Sequence, residues 1–550
     1  MSVTRFITIA LVFATVLLPG HNACAAFGVT ESGGDHIIDN GANLVFTITP
    51  TGNMSSCKYK GTELNGPRKA SGIASGLGAT SVTPTTYGDN VIVIKCVSTA
   101  PRFGYLVHYY IVQNGVDNIY MATYPTEEPR IGELRYIFRG RYNLLPNGPE
   151  NSNNNGNTGA IESSDVFGHG NGWTTSKYYG NERARDLTVK GATGNGIGVF
   201  VAFDNRESSM GGPFVRDIED QGDGANSDQE IYNYMNSGHH LNLTIAGQAE
   251  NFRTNVLYGP YAFCFTNGTT PAVPDMSFIA NLGLVGYVGP SGRGSVVLKG
   301  LAGMNGAYPY SMGFANPTAQ YWTALSSTGS GECDNMKRGD YSMTIYKNEL
   351  AVWTSNVTVT ARNTTIVPTL TITGDPGKAA TIWRIGDWDG TPLEFLNGTN
   401  LMKMHPSDPR NAHWGPVTFT VGSSPTGSFP SCQFRGVNSP TTIRFNLTSQ
   451  QAASAHFLNI GITTAHNGGR PGVKINGHAL VVPGISVQPG DRDLTTGTYR
   501  GNNTTFSWSI PAIDFVTGQN VLRITPISGS SDLSPWLSAG WAYDCVELDN

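Results

Sequence analysis

Residues 105–123 begin with Tyr105-Leu-Val-His-Tyr-Tyr-Ile-Val112 and end with Asn118-Ile-Tyr-Met-Ala-Thr123, and this stretch decides the class of fold. Both segments are rich in β-branched and aromatic residues and are bounded by asparagine or glycine, which is typical of β-strands. Similar segments recur along the chain, for example Leu44-Val-Phe-Thr-Ile-Thr49 and Ser342-Met-Thr-Ile-Tyr346. The 68 glycines and 31 prolines favour many short strands joined by tight turns. The sequence therefore predicts an all-β protein.

The length of the chain indicates several domains. A domain usually has about 100–200 residues, so the 550 residues predict about three units. Asn267-Gly-Thr-Thr-Pro-Ala-Val-Pro274 has the composition of a linker, and the β-rich stretch after it has the length and strand spacing of a small β-sandwich. We predict units over residues 26–274, 275–363 and 364–550.

The first 25 residues predict a secretory signal peptide. Arg5 precedes an apolar run from Phe6 to Leu18, and Ala23-Cys-Ala25 has the small residues of a cleavage site. This run is shorter than the about 20 apolar residues of a membrane span. We expect a mature protein that begins near Ala26, is secreted to the extracellular space and does not bind membranes.

The cysteines indicate disulfides rather than a metal site. Cys24 leaves with the signal peptide, and the cysteines that remain form an even set in an oxidising compartment. We favour the pair Cys57–Cys96 first and Cys432–Cys545 second. Metal binding would need clustered ligands, whereas these cysteines are scattered singly. The acidic segment 220–228 lacks the closing glutamate of a calcium loop, so the sequence permits a structural Ca²⁺ but does not indicate one.

Charge and missing motifs exclude several classes of function. The 35 basic and 40 acidic residues form no basic run, which disfavours nucleic acid as a partner. Zinc peptidases and α/β-hydrolases lose support because the chain has neither HExxH nor GxSxG. A glycoside hydrolase stays open, because its two carboxylates need only converge in space.

Several blocks of sequence carry the functional prediction. The central ones are Gly132-Glu-Leu-Arg135-Tyr-Ile-Phe-Arg139, Trp173-Thr-Thr-Ser-Lys177-Tyr-Tyr179 and Tyr232-Asn-Tyr234-Met-Asn-Ser-Gly-His239. Others are Ser208-Ser-Met-Gly-Gly-Pro-Phe214, Met404-His-Pro-Ser-Asp408 and Gly497-Thr-Tyr-Arg-Gly-Asn502. In this order, across nearly the whole mature chain, the blocks resemble the rhamnogalacturonan lyases of family four of the polysaccharide lyases.

The resemblance implies an architecture and an activity. It implies a galactose-mutarotase-like β-super-sandwich catalytic domain, a fibronectin type III-like domain and a C-terminal galactose-binding-like, carbohydrate-binding-module-like β-sandwich. The implied activity is endo-cleavage of rhamnogalacturonan I, a pectic polysaccharide, by β-elimination at the rhamnose–galacturonate linkage. The product carries an unsaturated galacturonate at its non-reducing end. The family implies no cofactor for catalysis, and we expect a monomer.

Elimination removes the C5 proton next to a uronate carboxylate, so cations must first neutralise that carboxylate. Arg135 and Arg139 are the natural neutralising or positioning groups, because arginine is permanently charged and forks onto carboxylate oxygens. Their spacing of four places both side chains on one face of a strand. Tyr232 and Tyr234 point the same way for the same reason and are expected to contact sugar rings.

The resemblance assigns the proton transfers to Lys177 and His239. Lys177 matches the family's catalytic lysine, and it needs a pKa lowered by burial or by adjacent cations to act as a base. His239 matches the catalytic histidine and titrates near neutrality, so it is suited to protonate the leaving oxygen. We assign Lys177 as base and His239 as acid, and the sequence leaves the reverse open.

Gly211 and Gly212 are expected to shape a turn in the groove wall.

The competing classes of function are a non-catalytic carbohydrate-binding protein on the same scaffold and a glycoside hydrolase. Retention of Lys177 and His239 together with both arginines favours the lyase, because a binding module gains nothing from an elimination pair.

Overall fold

The computed structural model describes residues 26–74, 76–129, 134–148, 154, 156–161, 166–176, 186–204, 207, 212–213, 220–223, 228–235, 252–488, 493–496, 499–528 and 534–550. The predicted signal peptide lies outside the described residues. The regular structure of the described part is almost entirely β-strand, which confirms the predicted all-β class. Within these ranges, no helix has the length and apolar character needed to cross a membrane.

The described residues of the first unit form four sheets. Its strands are β1 (Gly28–Ser32), β2 (Asp35–Asp39), β3 (Leu44–Ile48), β4 (Met54–Tyr59), β5 (Thr62–Glu63), β6 (Gly72–Ile73), β7 (Ser81–Tyr87), β8 (Val91–Ser98), β9 (Leu106–Gln113), β10 (Asn118–Pro125), β11 (Arg135–Arg141), β12 (Asn157–Ala160), β13 (Val166–His169), β14 (Thr174–Ser176), β15 (Val189–Gly194), β16 (Ile197–Phe203), β17 (Asp220–Asp223), β18 (Asp228–Tyr234) and β19 (Tyr258–Thr266). The sheet orders are β1-β2-β3-β4-β5, β15-β16-β19-β10-β9-β8-β7, β17-β18-β11-β6 and β12-β13-β14.

The core of the first unit joins three of these sheets. Phe46, Tyr110 and Phe138, from the five-, seven- and four-stranded sheets, are buried in one cluster. The other face of the seven-stranded sheet is covered by a 3₁₀ turn, Ser277–Asn281, whose Ile279 is buried against that sheet. Burial of apolar side chains on both faces therefore fixes the seven-stranded sheet. The shared cluster holds against it the four-stranded sheet, which carries the candidate site.

The second unit is a small sandwich. Its strands are β20 (Arg293–Leu298), β21 (Leu301–Ala302), β22 (Tyr310–Asn316), β23 (Ala319–Ala324), β24 (Gly331–Lys337), β25 (Gly339–Lys347), β26 (Leu350–Val359), β27 (Thr364–Val367) and β28 (Leu370–Thr371). The sheets run β24-β20-β27, β21-β28 and β23-β22-β25-β26.

The structure moves both predicted domain boundaries toward the C-terminus. The predicted division between residues 274 and 275 cuts off Ser277–Asn281, which packs on the first unit. The division between residues 363 and 364 cuts off β27 and β28, which pair in parallel with β20 and β21 of the second unit. Strand pairing and burial outweigh the composition signals from which the boundaries were predicted.

The third unit contains two five-stranded sheets. Its elements are β29 (Thr381–Gly386), β30 (Val417–Thr420), β31 (Cys432–Phe434), β32 (Thr441–Leu447), α1 (Ser449–Ala452), β33 (His456–His466), β34 (Arg470–Ile475), β35 (His478–Ala479), α2 (Asp493–Thr496), β36 (Thr504–Ile510), β37 (Gly518–Ile527) and β38 (Gly540–Asp549). One sheet runs β29-β38-β33-β36 with β31 beside β38, and the other runs β30-β32-β37-β34-β35. The long segment between β29 and β30 reaches the first unit.

The cysteines differ from prediction. Cys57, Cys96, Cys432 and Cys545 are buried free thiols, so neither predicted pair is a disulfide in this structure. Cys432 on β31 pairs with Ala542 on β38, and Cys545 lies three residues further along β38. Three residues of a strand span about 10 Å, which is beyond the reach of a disulfide. Cys57 and Cys96 lie in different sheets and pack as small apolar side chains.

Candidate active site

One face of the β11–β18 pair carries the predicted arginines and tyrosines of the site. The register places Arg135 opposite Tyr234, Ile137 opposite Tyr232 and Arg139 opposite Glu230. Alternate residues of a strand point to opposite faces, and the intervening Tyr136 and Phe138 belong to the core. The structure therefore brings together the four charged and aromatic residues that the spacing predicts on one face. We call Arg135, Arg139, Glu230, Tyr232 and Tyr234 the arginine face.

Arg139 is the buried member of the arginine face. Its Nε donates to Glu230 Oε1 at 3.2 Å, Nη1 donates to Ala70 O at 2.8 Å and Nη2 donates to Ala74 O at 3.0 Å. Its side chain is only 5% exposed. A guanidinium held this way supports the face from beneath, and the predicted role of Arg139 in neutralising or positioning a substrate carboxylate stays a prediction.

Arg135 is the more accessible arginine. It is half-buried, and its guanidinium carbon lies 5.7 Å from the ring centroid of Tyr234. Tyr234 stacks on Tyr232 with ring centroids 5.5 Å apart and planes 20° apart. An arginine over an aromatic ring gains cation–π attraction and is held in place. Arg135 is therefore the cation of this face that is suited to meet a carboxylate.

The two tyrosines are more buried than a sugar platform requires. Tyr232 is 5% exposed and Tyr234 is 2% exposed. The hydroxyl of Tyr232 donates to Glu230, and burial, with the added charge of Glu230, raises the pKa of Tyr232. Both rings form the floor beneath Arg135, and their predicted contact with sugar rings stays a prediction.

Sequence reasoning missed Glu230. This carboxylate bridges the Nε of Arg139 and the hydroxyl of Tyr232, so it balances the charge of the buried guanidinium. The signal was present in the sequence, because Glu230 precedes Tyr232 by two residues on a strand and must share its face.

Gly212 lies in a turn where the three units meet. Its φ of +80° is in the left-handed region, and a Cβ there would lie 2.4 Å from the Trp322 ring of the second unit. Its carbonyl oxygen accepts a hydrogen bond from Nη2 of Arg500, from the third unit, at 3.0 Å. Arg500 in turn forms an ion pair with Glu349 at 2.8 Å. Only glycine fits the conformation and the space at Gly212, and the predicted place of this turn in the wall of a substrate groove stays a prediction.

Glu207 also ties this region to the second unit. Its carboxylate pairs with Lys337, lies 3.6 Å from Nη1 of Arg293 and accepts the hydroxyl of Tyr321 at 3.1 Å. Burial opposes ionisation, but Lys337 and Arg293 outweigh it and hold the pKa of Glu207 below its usual range.

Three predicted site residues, Lys177, Gly211 and His239, lie outside the described residues. Chain order places Lys177 directly after Ser176, the last residue of β14, and His239 shortly after Tyr234, the last residue of β18. Among the residues that the structure describes, no three or more His, Cys, Asp or Glu side chains are grouped as metal ligands.

Comparisons with known proteins agree along the chain. Residues 27–286 match the family model described as rhamnogalacturonan lyase B, N-terminal. Residues 292–367 match polysaccharide lyase family 4, domain II, and residues 381–548 match domain III of the same family.

Individual relatives match over nearly their full length. Rhamnogalacturonate lyase A of Aspergillus aculeatus is 42% identical over 534 residues, covering 96% of this chain and 97% of the relative. Rhamnogalacturonate lyase A of Emericella nidulans is 40% identical over 556 residues, covering 100% of this chain and 99% of the relative. Among solved structures, a family 35 carbohydrate binding module covers 25% of this chain and 85% of its own at 14% identity, with a TM-score of 0.16 that supports no argument.

Proposed function

Because this chain belongs to the rhamnogalacturonan lyases of polysaccharide lyase family 4, we propose that it cleaves the rhamnogalacturonan I backbone by β-elimination. The bond broken is the one between C4 of galacturonate and the glycosidic oxygen of rhamnose. The proton on C5 leaves to a base, a C4–C5 double bond forms, and the departing oxygen takes a proton from an acid. The balance needs neither water nor a redox cofactor.

The observation that carries the proposal is the placement of Arg135. Its guanidinium is half-buried over the stacked pair of Tyr232 and Tyr234, with Arg139 and Glu230 behind it. A cation at a partly desolvated site interacts with an anion more strongly than it does in water. Charge forms on the substrate carboxylate as C5 loses its proton, and a fixed guanidinium stabilises that charge in the transition state.

Lys177 and His239 are the proposed base and acid. Lys177 must be neutral when it takes the proton, so its pKa has to lie well below the ordinary value for lysine. Burial or a nearby cation lowers a lysine pKa, and the match of Lys177 to the catalytic lysine of the family supports this role. In this assignment Lys177 takes the proton from C5, and His239 gives a proton to the leaving oxygen.

The finer proposals follow from the same family. We propose an endo-acting enzyme that is secreted, works as a monomer on pectic polysaccharide and needs no cofactor. A length of substrate that extends past the arginine face on both sides is what an endo-acting enzyme requires.

Product analysis tests the proposal. The purified protein, beside Lys177→Ala and His239→Ala, is incubated with rhamnogalacturonan I and with homogalacturonan. We expect unsaturated galacturonate, detected by ultraviolet absorbance and mass spectrometry, only from rhamnogalacturonan I and only with the unsubstituted protein. Saturated products would show hydrolysis, and bound but intact polysaccharide would show a binding protein.

A further inference from the structure

The strand that leads to Lys177 is held by the third unit. Thr174, the first residue of β14, donates from its backbone N–H and its hydroxyl to Asp408 Oδ2, at 2.6 and 2.8 Å. Its carbonyl oxygen accepts a hydrogen bond from Nη2 of Arg410 at 2.6 Å. The hydroxyl oxygen also accepts the N–H of His405 at 2.9 Å. Every polar group of Thr174 is therefore bonded to the segment between β29 and β30.

The same segment reaches the last residue of β14. The backbone N–H of Ser176 donates to the carbonyl oxygen of Lys403 at 3.2 Å, and Ser176 is fully buried. The residue after Ser176 is Lys177. We call the bonds from Lys403, His405, Asp408 and Arg410 to Thr174 and Ser176 the β14 contact.

Asp408 is the centre of the β14 contact. It is 2% exposed, and its carboxylate receives Nε of Arg410 at 2.9 Å and Nη2 at 2.8 Å. Burial opposes ionisation, but hydrogen bonds from Arg410 and Thr174 outweigh it and hold the pKa of Asp408 below its usual range. Hydrogen bonds to an ionised acceptor are roughly twice as strong as neutral ones, so the contact is firm.

Arg410 also fixes the residue before β14. Its guanidinium carbon lies 4.7 Å from the ring centroid of Trp173, within the range of a cation–π interaction. Trp173 is 48% exposed, so packing within the first unit does not by itself hold it.

We propose that Asp408 is a positioning residue for the reaction: through Thr174 it fixes the short strand β14, from which the chain continues directly to Lys177. The inference rests on the proposed function, since it takes Lys177 to be the base. The sheet β12-β13-β14 is small, and β14 has three residues at its edge. A misplacement of about 1 Å in a reacting group costs about 10²-fold in rate. The third unit therefore affects the reaction rate through the position of β14.

The test compares variants of the full-length protein in steady-state kinetics on rhamnogalacturonan I. Asp408→Asn removes the charge that Arg410 and Thr174 share, and we expect kcat to fall about 10²-fold with little change in KM. Thr174→Val removes the hydroxyl at constant shape, and we expect a fall of about tenfold. Thr174→Ser keeps the hydroxyl and should restore kcat to within about twofold of the unsubstituted protein.

Asp375→Asn is the matched control. Asp375 is also a buried carboxylate, with its side chain 3% exposed and an ion pair to Lys347 at 2.6 Å, but its partners lie away from β14. It should lower thermal stability as Asp408→Asn does and leave kcat unchanged.

The outcomes separate the two proposals. If the unsubstituted protein gives no unsaturated product, the proposed function fails and the positioning role fails with it. If it is active and Asp408→Asn keeps its kcat, the positioning role alone is overturned. An equal loss in Asp375→Asn, or a Thr174→Ser variant no better than Thr174→Val, would also overturn it, and the Thr174 pair decides if Asp408→Asn does not fold.

Discussion

The arginine face and the strand β14 lie in the same unit and serve one reaction in the proposed mechanism, but different parts of the chain hold them. On the arginine face, β11 pairs with β18 over its whole length, from Arg135 to Arg141, and its inner side chains fill the core of the same unit. At β14 the contacts come from a segment 234 residues away in sequence, as between Thr174 and Asp408. In the proposed mechanism, the charge-neutralising side of the site therefore belongs to the first unit, and the proton-transfer side depends on the third.

This difference gives the second and third units a part in holding the first. A catalytic sandwich alone supplies the register that aligns Arg135 with Tyr234. It does not supply the partners of Thr174 or of Gly212, which come from the second and third units. Substitutions in the first unit and in the third unit should consequently have separable effects.

The largest expected effect on activity is at Arg135. Arg135→Ala removes the accessible cation of the arginine face, and we expect kcat/KM on rhamnogalacturonan I to fall about 10³-fold, because removal of one preorganised donor in the transition state costs about that much. Arg135→Lys keeps a charge without the fork and should lose about tenfold.

Arg141→Ala is the control on the same strand and face. Arg141 donates from Nε to the carbonyl oxygen of Asn65 at 3.1 Å and lies beyond the stacked tyrosines. A loss at Arg141 as large as the loss at Arg135 would mean that the face acts through general charge rather than through Arg135.

Arg139→Met should act on stability before activity. It breaks the buried ion pair between Arg139 and Glu230, and breaking a buried pair costs about 3–5 kcal/mol in the free energy of unfolding. The double substitution Arg139→Met with Glu230→Met should recover much of that loss, which denaturant unfolding measures. If Arg139→Met folds as stably as the parent, Arg139 is not the structural support described above.

Gly212→Ala tests the junction of the three units. A methyl group at this position meets the ring of Trp322, and forced overpacking costs about 1–3 kcal/mol. Gly61→Ala is a matched control, because Gly61 has a φ of +78° and open space around it. The thermal unfolding temperature of Gly212→Ala should lie below that of Gly61→Ala. Equal temperatures would show that backbone strain alone, and not the contact with Trp322, destabilises the variant.

The smallest expected effect on activity is in the third unit, where the prediction concerns the pH dependence of thermal stability. Burial, together with the charges of Asp389 and Asp387, raises the pKa of Glu394 to about 8 from an ordinary 4.5. The folded protein thus keeps a proton that the unfolded chain releases, so this contribution is full below 4.5 and is lost as the pH rises through about 8. The thermal unfolding temperature should therefore fall as the pH rises over that window, and Glu394→Gln should make the fall smaller. An equal fall in Glu394→Gln would mean that other groups cause the pH dependence.

Local pattern predicted the arginine face because its information is local. The spacing of Arg135 and Arg139, and of Tyr232 and Tyr234, is enough to place each pair on one face of a strand. The same alternation of side chains along a strand also places Glu230 on the face of Tyr232. It does not tell which arginine is buried, because that depends on the carbonyl oxygens of Ala70 and Ala74, which only the folded chain brings near.

The β14 contact lay beyond local pattern. Asp408 belongs to a block that matches the family, yet nothing in that block indicates a bond to Thr174. The cysteine prediction failed for a related reason, since the register of β38 separates Cys432 from Cys545 and no spacing in the sequence reveals that register. Likewise, β27 pairs with β20 across the whole second unit, so composition placed the domain boundary too early.

The separate positioning of the two sides is tested most directly by a double-substitution cycle in kcat with Arg135→Lys and Asp408→Asn. If the first unit holds Arg135 and the third unit holds the strand of Lys177, the losses in activation free energy should add to within about 0.5 kcal/mol. A combined variant no slower than Asp408→Asn alone would contradict this account, because it would mean that both residues act through one shared arrangement.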